Sequence, residues 1–194
     1  MMNIEIWNEV DKRIQNPNEA CQFIGKLMEN SKDKTFNGLI TANFTNTPSE
    51  IQNAINKFIY ECNKTFELKA IYLEMNGFDI NPSRWFFDLF GYEALPEDDS
   101  DLDWLSDWQS PDFPDVTLKG LESIQELFKQ YNQEKADLNL DKPNQVLKNN
   151  HELATLMVMA KFCKLIDESL HNTHLGLHIY ATAHDFEIIY HKHA

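Results

Sequence analysis

The spacing of apolar positions along this chain changes period several times, and each change marks an element. Ile6, Trp7, Val10 and Ile14 recur at helical intervals, which predicts a helix over residues 4–15. Asn16-Pro17-Asn18-Glu19 reads as the start of a second helix. Asn16 can accept from the free N–H groups, Pro17 has no N–H to lose, and Glu19 completes a box-like pattern. Ala20, Phe23, Ile24, Leu27 and Met28 form its buried stripe, which ends near Asn30 in the polar run NSKDKT. Residues 38–45, GLITANFT, are short and β-branched and predict a strand. Thr47-Pro48-Ser49-Glu50 is a full start signal: Thr47 caps, Pro48 takes the first helical position and Glu50 reaches back. Ile51, Ala54, Ile55, Phe58, Ile59 and Cys62 follow on one face.

From residue 66 the period falls to two. Phe66, Leu68, Ala70 and Tyr72 alternate with Ile71, Leu73 and Met75, so residues 66–75 predict a strand that is apolar on both faces and central in its sheet. Asn76-Gly77 and Asn81-Pro82-Ser83 break the pattern. Residues 84–92 predict a second strand, with Trp85, Phe87 and Leu89 on one side and Phe86, Asp88, Phe90 and Tyr92 on the other. A helix follows from Leu118 to Tyr131, and then a polar loop over 132–148. Asn149 or Asn150 is expected to cap the longest helix, 151–170, whose apolar residues cover more than one face and imply deep burial. HNTHLG should end it, with Gly176 in a left-handed conformation. LHIYATA and FEIIYHKH, flanking His184-Asp185, read as a terminal hairpin. The expected fold is a single α+β domain over residues 1–194. Its sheet is mostly antiparallel, with about four to five strands, and helices pack on it. The long helix near 151–170 lies across strands 66–75 and 84–92.

Composition narrows the function classes. The chain has 194 residues, 42% of them hydrophobic and 12% aromatic, as in a globular domain rather than a disordered one. Its formal net charge of -14 repels phosphate backbones and anionic lipid, so nucleic-acid and membrane binding are disfavoured. What remains is a basic partner, or acid that serves solubility. The start MMNIEIWNEVDKR lacks a basic segment followed by an apolar one, and no apolar run approaches the roughly 18 residues of a membrane span. Cys21, Cys62 and Cys163 lie far apart among apolar neighbours, as buried thiols do in a reducing compartment. A cytoplasmic location is expected.

Residues 93–117 form a long connection that combines acid with tryptophan. No Lys or Arg lies between Arg84 and Lys119, while ten Asp and Glu do. Leu102, Trp104, Leu105, Trp108 and Phe113 are interleaved with them and give the segment something to bury. This is the candidate partner-binding surface: Asp99, Asp101, Asp103 and Asp107 supply charge, and Trp104 and Trp108 supply anchors. The plain alternative is that the tryptophans only clamp the connection to the body. Asp99, Asp101 and Asp103 match three ligand positions of a calcium loop, but Trp104 and Ser110 occupy its glycine and glutamate positions. His174 with His178, and His191 with His193, lack a third ligand, so no metal is assigned. Asp88 lies between phenylalanines, where desolvation raises its pKa unless a base such as Arg84 pairs with it. Asp88 and His184 are the candidate residues of a pocket beneath the 97–115 connection. No nucleophile elbow or glycine-rich phosphate loop occurs, so no catalytic residue and no cofactor is assigned.

The motifs WFFDLFGYE, DLDWLSDWQS, MAKFCKLIDESL and IYATAHDFEIIY resemble those of a group of uncharacterised bacterial cytoplasmic proteins, over roughly residues 66–192. That group implies no mechanism and lends no catalytic residue. In size, acidity and acidic-aromatic surface the chain also resembles bacterial immunity proteins, which neutralise a toxin by occluding its site. This likeness implies a non-enzymatic, antitoxin-like protein that binds a basic protein partner. Two other readings remain. One is a small enzyme or ligand-binding domain with a pocket under the 97–115 connection. The other is an acidic DNA mimic, which would need carboxylates spaced regularly along an exposed face.

Overall fold

The computed structural model of the chain describes residues 4–78, 81, 83–96, 102–137 and 145–194. Helices α1 (Ile4–Asp11), α2 (Pro17–Asn30) and α3 (Pro48–Cys62) come first. Strands β1 (Ala70–Asn76), β2 (Phe86–Tyr92) and β3 (Val116–Thr117) follow. Helices α4 (Glu122–Asp137) and α5 (Gln145–Ser169) then lead to β4 (His178–Ala183) and β5 (Tyr190–His193). Single 3-10 turns occupy Asn37–Ile40 and Asp103–Ser106. Among the described residues the strands make one five-stranded sheet in the order β3-β2-β1-β4-β5, and the fold is α+β. Every neighbouring pair is antiparallel except β1 and β4, which run parallel. A parallel neighbour requires the chain to return to its starting end, and α4 and α5 make that return.

Local chemistry explains which starts and stops hold. At α3 the Thr47 hydroxyl accepts from Glu50 N at 3.2 Å, and the Glu50 carboxylate accepts from Thr47 N at 2.7 Å, closing the expected capping box. At α2 Pro17 begins the helix, but Asn16 does not cap it; its amide donates to the Glu19 carboxylate at 2.9 Å instead. The first helix stops at Asp11, and Ile14 is buried from the turn beyond it. Asn150 lies inside α5 rather than at its start. Its amide donates to Asp33 O at 2.9 Å and Asp33 Oδ1 at 2.7 Å, tying α5 to the segment after α2. The polar run after Tyr131 is partly helical, because α4 reaches Asp137 and α5 begins at Gln145.

The strand expected over 38–45 is absent. The segment is a 3-10 turn and then irregular backbone held to residues 117–119 by isolated bonds. Thr45 N donates to Lys119 O at 2.8 Å, and the Asn46 side chain bonds Thr117 O at 3.0 Å and Lys119 N at 2.9 Å. No ladder continues, because Gly120 turns the chain away with φ +99°. A Cβ there would lie 2.7 Å from Asn43 O.

Period-two alternation sorts the strand residues between two cores. Ile71, Leu73, Met75, Phe87 and Leu89 face the helices and join the main core. The long helix α5 is buried nearly all round because it sits between β4 on one side and α2 and α3 on the other. The Phe162 ring of α5 lies 5.5 Å from that of Phe87. Helix α3 comes so close to β2 that a Cβ at Gly91 would sit 2.9 Å from Leu68, 3.1 Å from Cys62 and 3.2 Å from Phe58. On the other face Ala70, Tyr72, Tyr92 and Tyr180 make a second, smaller cluster, covered by Trp104 and Leu105 of the acidic connection and by Ile189.

Candidate acidic-aromatic interface

The face of the sheet turned away from the helices collects the chemistry of the chain. The register sets its rows. Tyr92, Ala70, His178 and His193 form one, and Phe90, Tyr72, Tyr180 and His191 the next. Asp88, Glu74 and Thr182 form a third, and Phe86 with Asn76 ends the sheet. The face is therefore aromatic at one end and carboxylate-bearing at the other.

The connection over 102–110 lies on the aromatic end and is fastened by its backbone as well as its side chains. Gln109 N and Ser110 N both donate to Gly91 O, at 3.0 and 3.3 Å, and Gly91 N donates to Ser110 Oγ at 3.0 Å. The Tyr92 hydroxyl donates to Leu105 O at 2.9 Å. Trp104 is half-buried, with its ring 4.6 Å from Tyr92 and 5.0 Å from Tyr180 in edge contacts. Trp108 lies 4.9 Å from Phe90 but remains 48% exposed. Asp103 and Asp107 are exposed beside them. The two expected anchors thus divide: Trp104 clamps, and Trp108 presents a half-open indole amid acid. Asp99 and Asp101 lie outside the described residues.

At the other end Asp88 and His184 come to the same face, on either side of Glu74, a residue the sequence pattern did not single out. His184 Nδ1 is 2.5 Å from Glu74 Oε1. Asp88 Oδ2 accepts from Asn76 Nδ2 at 2.7 Å, which is its pairing in place of the expected Arg84. The Arg84 guanidinium instead grips Asp115 through two bonds of 2.8 and 2.7 Å and lies over the Phe86 ring at 4.3 Å. Hydrogen bonding to Arg84 holds the Asp115 carboxyl below its usual range. Burial, then the charges of Asp115 and Glu74, push the Asp88 carboxyl above its usual range. Burial chiefly, then Glu74, pushes the Tyr72 hydroxyl up as well.

Beside Trp104 there is a small cavity of about 240 Å³, lined by Gln15, Leu102, Trp104, Tyr180, Ile189 and His191. Asp88 and His184 are not in its lining. His178 Nδ1 lies 3.0 Å from His191 Nε2, and the His191 ring stacks on Tyr180 at 4.4 Å. Among the described residues no cluster of three or more His, Cys, Asp or Glu is arranged to hold a metal, and no helix is long and apolar enough to cross a membrane.

Glu74 could have been found from the sequence by extending the alternation of β1 one step past Tyr72. The meeting of Glu74 with His184 could not, because it depends on the parallel pairing of β1 with β4. Compared with protein-family models, curated proteins and solved structures, the chain matches none.

Proposed function

We propose that this chain is a non-enzymatic binding protein of the immunity or antitoxin kind, which neutralises a basic protein partner held on the helix-free side of its sheet. The observation that carries the reading is Trp108, which is 48% exposed against Phe90 and flanked by the exposed Asp103 and Asp107. An indole with an open face is the residue type that anchors interfaces, and carboxylates around it steer a basic partner inward. The two bases that bound this stretch in sequence are already held, Arg84 by Asp115 and Lys119 by Glu50. Glu74 and Asp88 extend the acidic character toward the far end of the same face. These carboxylates gather in one connection and one sheet row rather than at regular intervals, which favours a protein partner over mimicry of DNA. The three thiols are unpaired, which suits a cytoplasmic setting.

The test is to purify the tagged chain and its Asp103→Lys/Asp107→Lys variant side by side from the host and weigh each by native mass spectrometry. The expected result is a stoichiometric basic protein on the parent chain, retained about tenfold less by the variant and released by salt. Equal retention by both chains, or no protein on the parent chain, overturns the proposal.

A further inference from the structure

The helix layer holds a cavity that the acidic face does not use. It lies between α2 and α5 and measures about 490 Å³, within the usual size range of small-molecule sites. Small residues on α2 help to leave the space: Cys21 and Gly25 line it, and a Cβ at Gly25 would only reach ordinary contact with Met157 at 3.6 Å and Ile40 at 3.8 Å.

Lys161 of α5 lines this cavity and is only 5% exposed. Its ammonium donates to Asn43 Oδ1 at 2.9 Å. Among the described residues no carboxylate pairs with it. Burial, with the nearby Lys164 adding to it, holds Lys161 below the usual lysine range. Lys26 and Lys164 line the same cavity, against one acid, Glu29. Glu168, 3.6 Å from Lys164, offsets part of that charge. A chain of net charge -14 therefore gathers three lysines around one open volume. An ammonium carries three N–H donors, and a buried cation is unfavourable until an anion meets it.

We propose that the cavity between α2 and α5 binds a small organic anion, whose phosphate or carboxylate head group accepts from Lys161 while Lys26 and Lys164 flank it. The site is separate from the partner-binding face, and its test is independent of that reading. Bound anion favours the charged lysine, so binding weakens as pH rises and Lys161 loses its proton.

The experiment is calorimetric titration of inorganic phosphate and, separately, succinate into the full chain at constant ionic strength set with sodium chloride. The parent protein, Lys161→Met and Lys164→Met are compared. One saturable site is expected for at least one of the two anions, and which one binds identifies the head group. Lys161→Met should weaken it about tenfold or more, through loss of a charge-assisted bond, and Lys164→Met by a smaller factor. Lys161→Met keeps the aliphatic stem and removes a buried charge, and circular dichroism checks its fold. Should it fail to fold, Lys164→Met carries the comparison. Cys21 gives a second readout. It is the one cysteine not fully buried, so the anion should slow its alkylation by N-ethylmaleimide over the same concentration range. No saturable site and no protection with either anion would overturn the proposal. So would binding that survives Lys161→Met unchanged.

Discussion

Trp104 and Trp108 lie four residues apart in the same connection, and paired alanine substitutions should separate their roles. Removing a fully buried tryptophan costs about 3–5 kcal/mol. Trp104 is half-buried, so about 2 kcal/mol of that applies. Its edge contacts at 4.6 Å with Tyr92 and 5.0 Å with Tyr180 add about 1 kcal/mol together. Trp104→Ala should therefore destabilise by about 3 kcal/mol. Trp108 has one such contact, at 4.9 Å with Phe90, and half its surface is open, so Trp108→Ala should cost about 1 kcal/mol. With a urea slope of about 2 kcal/mol per molar, the midpoints should fall by about 1.5 M and about 0.5 M. Equilibrium unfolding followed by far-UV circular dichroism measures both. The order should reverse in a partner-binding assay, where Trp108→Ala is the more damaging change once each variant is confirmed as folded. Equal midpoint shifts, or a larger one for Trp108→Ala, would refute the assignment of Trp104 as the clamp.

Other expectations follow from the same geometry. Gly25→Ala should raise stability by about 0.5–1 kcal/mol, because it gains helix propensity and its methyl meets only ordinary contacts. Gly91→Ala should lower it by about 1–3 kcal/mol, because its methyl meets Leu68 at 2.9 Å. Thermal melts read both, and opposite signs would contradict the packing described. Asp88→Asn should stabilise the protein at neutral pH. The folded state raises the Asp88 pKa, so its ionised form is penalised there and stability falls as pH rises through that pKa. The amide keeps the bond from Asn76 and carries no charge. Its advantage should vanish below about pH 3.9, where the unfolded carboxyl is protonated too. Urea titrations at pH 7 and pH 3 test this, and an equal effect at both would count against burial as the cause.

Much of the architecture was legible because its signals are local. The Thr47-Pro48-Ser49-Glu50 start, the two-residue period of β1 and β2 and the all-round apolar α5 are each specified by neighbouring residues. The parallel pairing of β1 with β4 is not, since it joins residues about a hundred positions apart. The 38–45 segment misled because its β-branched composition suits a strand, whereas only Thr45 N and the Asn46 side chain bond residues 117–119 and no ladder forms. Arg84 precedes β2 and lies about 13 Å of extended chain from Asp88, so Asp88 pairs with Asn76 of β1 and Arg84 with Asp115, just before β3. The composition of the acidic connection announced a surface, yet only the positions of Tyr92 and Tyr180 show which tryptophan is covered. Lys161 was hidden within an apolar helix, where one lysine among buried neighbours reads as a solvent-facing interruption.

The most direct test of the binding face is hydrogen exchange on the complex recovered with the tagged chain, compared with the same chain after salt has released its partner. Slowed exchange across residues 102–110 and the adjoining β2 amides, with α2 and α5 unchanged, is the expected result. Protection confined to the helix layer, with residues 102–110 exchanging as freely as before, would contradict it.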